Sequence, residues 1–222
     1  MGCQMPIIFL INKKIKKSLI MGNYFADISF REGVILANLN PTVEKQQQAA
    51  VELLGREPRT PFAVKTFCPD GSPQVLIADP VFKEDGIWKP FPAFLWLVCP
   101  RLKTLTADLE QKGQIREFSQ KLKSDEDFRN LFVSGQKAIA DLRVSMAEKI
   151  YPGELPEHIR DILATTTVAG SRDFNGVKCL HSHLAQELAF HNNPIGAAVL
   201  EQIKNCSAND HCGALAARRS EA

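Results

Sequence analysis

The sequence predicts an α+β protein, a small antiparallel sheet packed against several helices, with a helical C-terminal half. Three observations carry this. Two apolar runs, Phe62–Phe67 and Gln74–Ala78, flank Cys68-Pro69-Asp70-Gly71-Ser72-Pro73, and Asp-Gly is the residue pair a tight hairpin turn favours. A third run, 93–98 (Ala-Phe-Leu-Trp-Leu-Val), has the apolar and aromatic content of a strand. From Arg101 onward apolar residues recur at helical spacing.

Residues 1–22 read as an appendage, either a flexible arm or an over-extended start ahead of Met21. A single α+β domain is expected over 23–204, with a short strand around Phe30, Val34 and Leu36. Asn40-Pro41 is an N-cap followed by proline at the first helical position. Val43, Gln47, Ala50, Val51 and Leu54 then follow at helical spacing to Gly55. Asp79-Pro80 closes the predicted hairpin, and a loop follows that holds Asp85-Gly86 and then Trp88-Lys89-Pro90-Phe91-Pro92. Leu102, Leu105 and Leu109 begin the helical half, Gly113 interrupts it, and Ile115, Phe118 and Leu122 resume it. Ser124-Asp125-Glu126-Asp127 opens the longest helix, with acids where the macrodipole favours them. Its stripe runs from Phe128 to Met146 and stops at Tyr151-Pro152-Gly153. A short helix is expected over 156–163. Asn175-Gly176 turns the chain into the Leu180, Leu184, Leu188 stripe, and Asn193-Pro194 caps the last helix. Residues 205–222 read as a C-terminal tail holding Cys206, His211 and Cys212.

Bulk composition excludes several classes. An apolar fraction of 45% supports a sizeable core. The net charge is +2, and Lys13, Lys14, Lys16 and Lys17 lie in an acid-free first stretch, so the rest of the chain is slightly acidic. That is not the footprint of a dedicated nucleic-acid binder. No apolar run reaches the roughly 18 residues of a membrane span. The lysines follow the apolar residues 5–11, the reverse of a secretory signal. Six cysteines are too few for a disulfide scaffold in a chain this long. They are therefore expected to be reduced thiols or metal ligands in the cytoplasm.

Several spaced blocks occur in a distinctive order: Leu54-Gly55-Arg56-Glu57-Pro58-Arg59, Cys68-Pro69-Asp70-Gly71-Ser72-Pro73, Asp85-Gly86, and Pro90-Phe91-Pro92. Trp96-Leu97-Val98-Cys99-Pro100-Arg101-Leu102, Val177-Lys178-Cys179-Leu180-His181 and Asn193-Pro194-Ile195-Gly196 complete the set. This layout resembles the bacterial domain-of-unknown-function family 501, from about Val43 to Leu200. The resemblance implies no activity or substrate. Its pattern includes Cys68, Cys99, Cys179 and His181, and it often has a histidine where this chain has Gln186.

Cys68, Cys99, Cys179 and His181 form a candidate metal site, because three thiolates and one imidazole are a recurrent tetrahedral zinc set. Zinc is the expected ion and an iron–sulfur cluster the second choice. His183 is the substitute for His181, since it shares a face with Cys179 if Cys179 is helical. If Cys179 lies in the approach to the helix, Cys179 and His181 converge. His191 and His158 read as solvated residues. The competing readings are that the cysteines are apolar core residues of a structural or interaction protein, or that Cys179, with His181 or His183 as base, is a catalytic thiol at a helix N-terminus. Arg56, Arg59, Arg101 and Lys178 are candidate contacts for a small anionic ligand; pairing with Glu57, Asp70 and Asp85 is their structural alternative. The functional expectation is a metal-containing protein, mainly structural or acting on a small anion.

Overall fold

The computed structural model describes residues 41–212. The expected N-terminal appendage, the strand near Phe30, the Asn40 cap and the last ten residues of the expected tail lie outside these. Among the described residues the order is α1 (Pro41–Leu54), β1 (Phe62–Phe67), β2 (Pro73–Ala78), β3 (Val81–Glu84), β4 (Ile87–Pro90) and β5 (Leu95–Leu97). Then come α2 (Pro100–Gln111), α3 (Gln114–Ser124), α4 (Glu126–Ile150), α5 (Glu157–Ala164), α6 (Leu180–Phe190) and α7 (Pro194–Ile203). The small antiparallel sheet and the helical C-terminal half are as the sequence predicts.

The main sheet runs β1-β2-β5, all antiparallel. Strand β2 is buried along its whole length because both of its faces are covered. Leu76 packs with Ala50 and Val98 beneath α1, while Val75 and Ile77 join the principal core with Leu95, Leu180 and Leu184. An alternating pattern is unnecessary in a strand covered on both sides, and Val75-Leu76-Ile77 is continuously apolar.

Two elements differ from the sequence expectation. Residues 81–90, expected as a loop, form a second hairpin, with Val81 opposite Pro90 and Glu84 opposite Ile87. Its turn is Asp85-Gly86, both left-handed with φ of 52° and 80°, the backbone a two-residue hairpin turn requires. The apolar run 93–98 contributes only Leu95–Leu97 to the sheet. The amides of Val98 and Cys99 both turn to the Gln74 carbonyl, at 2.9 and 3.3 Å, and Pro100 starts α2 at once. Proline suits that first helical position because it has no amide to leave unpaired.

The helical half is held by side chains that reach across sequence. Asp125 caps α4 through the Phe128 amide at 2.9 Å. The same residue ends α3, so one extended position separates the two helices. Asn193 caps α7, its Oδ1 accepting from the amides of Ile195 and Gly196. Helices α6 and α7 approach closely at Gly196, where an added Cβ would fall 2.2 Å from the His183 carbonyl oxygen. This close approach requires glycine at that position.

Candidate metal centre and thiol site

Cys68 lies just beyond β1, at the start of the hairpin loop. Its amide donates to the Ser72 carbonyl and its carbonyl accepts from the Gly71 amide, which fixes the loop. Cys99 lies between β5 and α2, two residues past the Leu97–Val75 pair, so the sheet brings it to the same end as Cys68. Both are buried.

Their partners come from the chain's far end. Beyond α7, residues 204–212 fold back against the sheet. Gln74 Nε2 donates to Asn205 Oδ1 at 2.8 Å, and Arg101 donates to the carbonyls of Lys204 and Ile203. Arg101 Nε also meets Asp210 at 3.1 Å. Asp210 closes the segment into a loop by accepting from the Ser207 amide and hydroxyl. Cys206 and Cys212, at its ends, are thereby buried beside Cys68 and Cys99. The Sγ atoms of Cys99, Cys206 and Cys212 are 3.4, 3.4 and 3.6 Å apart, and all four sulfurs lie within 4.8 Å of one another. These are non-bonded separations, since a disulfide closes to about 2.05 Å.

The electrostatics of this centre are those of one coupled unit. Hydrogen bonds from Cys68 and then Cys99 favour the Cys206 thiolate and hold that thiol far below its usual range. The same closeness to Cys206 pushes Cys68 and Cys99 upward, while burial leads in raising Cys212. Four thiolates this close repel one another, so all four become available together only if a cation joins them. Four thiolates are a complete ligand set for a thiophilic ion.

Cys179 and His181, expected in the same set as Cys68 and Cys99, lie elsewhere. Cys179 is the extended N-cap of α6, with φ −155° and ψ 120°. This is the approach geometry, in which Cys179 and His181 converge: Sγ and Nδ1 are 3.8 Å apart. Their third partner is Glu110, in the last turn of α2. A carboxylate there opposes the α2 dipole, but it accepts from the first amide of α6, Leu180 N, at 2.6 Å. Its Oε1 is also 3.1 Å from His181 Nδ1. His181 Nε2 faces the Lys103 carbonyl at 3.1 Å. All three side chains are half-buried, and their donor atoms also lie within 4.8 Å of one another.

His183 cannot stand in for His181. It points into the core beside Phe132, with 1% of its surface exposed. Because Asn193 Oδ1 caps α7, its Nδ2 must face the other way and donate to His183 Nδ1 and to Gln186 Oε1, at 3.0 and 2.9 Å. The imidazole lone pair is therefore already used. Burial lowers the His183 pKa to about 4. Gln186 belongs to the same network, meeting Gln136, Asn192 and the Gly135 carbonyl, remote in role from both sulfur clusters.

Of the cations expected to bind an anion, Arg101 is committed to the C-terminal loop. Arg56 lies over the Trp96 ring at 5.7 Å, and Arg59 and Lys178 are exposed. Glu110, Cys206 and Cys212 are the site residues that sequence reasoning missed. The pairing of two cysteines in a short polar segment was the only signal for the last two. Glu110 carries none, because an acid near a helix end is ordinary.

Among the described residues, the fold and these clusters define an α+β protein with one four-cysteine cluster and one Glu/Cys/His cluster, each capable of coordinating a metal. Residues 64–201 match the family described as protein of unknown function, DUF501, and the chain belongs to that family. That span contains Glu110, Cys179 and His181 but ends before Cys206. No curated protein and no solved structure matches the chain. Among the described residues no helix is long and apolar enough to cross a membrane.

Proposed function

We propose that this is a zinc protein in which Cys68, Cys99, Cys206 and Cys212 hold a single ion and thereby clamp the C-terminal segment to the sheet. The observation that carries the reading is the sulfur spacing. A tetrahedral ion with Zn–S bonds of about 2.3 Å sets its thiolates about 3.8 Å apart, and three of the six edges here are 3.4, 3.4 and 3.6 Å. A multi-iron cluster places inorganic sulfide between its metals and needs a wider cage than four sulfurs within 4.8 Å provide. The centre is closed: four protein ligands leave no position for water, so its role is structural rather than Lewis-acid catalysis. Arg101, held beside the loop, favours the Cys206 thiolate by its positive charge. Thiolate ligands need a reducing compartment, which favours the cytoplasm.

Metal analysis of protein purified under reducing conditions, without chelator, tests this. About one zinc per chain is expected for the wild type and close to none for Cys212→Ser, as a four-thiolate site loses most of its affinity with one ligand. Cobalt substitution should give the intense thiolate-to-metal absorption of a tetrahedral site in the wild type alone. Wild-type protein that holds no stoichiometric metal, and takes up none when zinc is supplied, would sink the proposal.

A further inference from the structure

The second cluster has a different chemistry from the first. Its three groups come from the end of α2 and the start of α6, and the His181 ring is flanked by a carbonyl, a carboxylate and a sulfur. Nε2 faces a carbonyl, which can only accept, so that nitrogen carries hydrogen. Nδ1 faces the Glu110 carboxylate at 3.1 Å and the Cys179 sulfur at 3.8 Å. A ring protonated at both nitrogens can donate to the carbonyl and to the carboxylate, whereas a neutral ring with hydrogen on Nε2 sets its Nδ1 lone pair against the Glu110 carboxylate. The sulfur beside it is the group that can supply the second proton.

Position reinforces this. Cys179 is the N-cap of an eleven-residue helix, where free amides and the dipole favour an anion. Burial works against the thiolate, and Glu110 opposes it too, but His181 and the Ser182 amide outweigh them, so the thiol lies below its ordinary range. The His181 imidazolium is correspondingly held up to about 9, first by Cys179. Glu110 and His181 are the charged groups acting on this sulfur, and Lys178 next to it is exposed. Cys179 itself is only half-buried, so a reagent can reach it.

We propose that Cys179 is a nucleophilic thiolate, paired with His181 and positioned by Glu110, that attacks an electrophilic carbon. The Sγ–C bond forms as the carbon's bond to its leaving group breaks, and the leaving group departs with that electron pair. The proton that the thiol passed to His181 Nδ1 goes to the leaving group, and the ring returns to neutral with Nε2–H still on the Lys103 carbonyl. Glu110 is a positioning residue, since it holds both the ring and the first amide of α6. This activity is independent of the four-cysteine centre.

Iodoacetamide is the probe. Zinc-loaded full-length protein is labelled across a pH series, and each cysteine is followed by peptide mass spectrometry. Cys179 should be alkylated first, at a rate that stays level down to pH values well below the ordinary thiol pKa of about 8.5. In His181→Gln the profile should move up toward that ordinary value, lowering the Cys179 rate at neutral pH about tenfold or more. The metal content should not change in that variant, which separates this site from the zinc centre. A wild-type profile of an ordinary thiol overturns the proposal whether or not the variant folds. So does a Cys179 that stays protected until chelator is added while Cys179→Ser loses a metal equivalent, because the trio would then be a second metal site.

Discussion

At His183 one ring shows how burial turns into pH dependence. Its Nδ1 accepts from Asn193, and it is packed on Phe132 with almost no exposure. In the unfolded chain an imidazole titrates near 6.5, whereas burial lowers the folded value to about 4. Between these values the unfolded state binds the proton and the native state does not. The stability this group allows is therefore fully present above about pH 6.5 and lost as pH falls toward 4. The loss should be on the order of 3 kcal/mol at the acid end. Asp79, whose carboxyl burial raises to about 6, changes stability in the opposite sense over an overlapping range. The check is therefore a comparison: urea stability measured from pH 4 to 7.5 should fall less steeply with acid in His183→Gln than in the wild type. Equal slopes would show that the ring does not titrate in this way.

At the scale of elements, helix α4 carries a buried cation that organises its surroundings. Arg143 is fully buried, and among the described residues its hydrogen-bond partners are all carbonyls. Its terminal nitrogens donate to four carbonyls: Pro92 at 2.8 Å, Leu163 at 2.7 Å, Thr167 at 3.0 Å, and Thr166. The guanidinium also lies 5.9 Å from the Phe94 ring centre. Burial lowers its pKa to about 10, which leaves it charged at neutral pH. One side chain thus ties together the loop before β5, the last turn of α5 and the irregular chain that follows it. Arg143→Met should cost about 3–5 kcal/mol, because it removes charge-assisted bonds and leaves buried carbonyls unpaired. Chemical denaturation would show this as a lowered midpoint. Arg143→Lys should recover less than half of the loss, since an ammonium cannot match the forked donor geometry. A methionine variant as stable as the wild type would contradict this account of the α4–α5 region.

For the whole molecule, the metal proposal makes a statement about folding. Two ligands lie beside the sheet, and two come from a segment more than a hundred residues later, as the 107-residue separation of Cys99 and Cys206 shows. An ion that binds only this native arrangement stabilises it by mass action, and the increment grows with the logarithm of free ion concentration. The melting temperature of the wild type should therefore rise with buffered free zinc, and that of a Cys206→Ala, Cys212→Ala variant should not. Limited proteolysis should cut after α7 sooner once the ion is stripped. A melting temperature indifferent to zinc in the wild type would remove the clamp role.

The parts of this protein legible in its sequence are those set by neighbours along the chain. Asp70-Gly71, the Asn193-Pro194 cap and the acids opening α4 announce their elements because turns and caps are satisfied locally. Cys68 and Cys99 stand out because each precedes a proline where a strand stops. The hairpin at Asp85-Gly86 carried the same turn signal, but its strands are only four residues each and hold Lys83, Glu84 and Lys89, too polar to read as strands. What only the tertiary structure decided is which thiols share a centre. Cys179 is drawn to Glu110 by the need to cap α6, and Cys206 and Cys212 are drawn to Cys68 and Cys99 by Arg101 and Gln74 holding the segment after α7. Such partnerships span distant parts of the chain, and no spacing along it encodes them, because each is the outcome of packing elements whose individual patterns point only to a buried face.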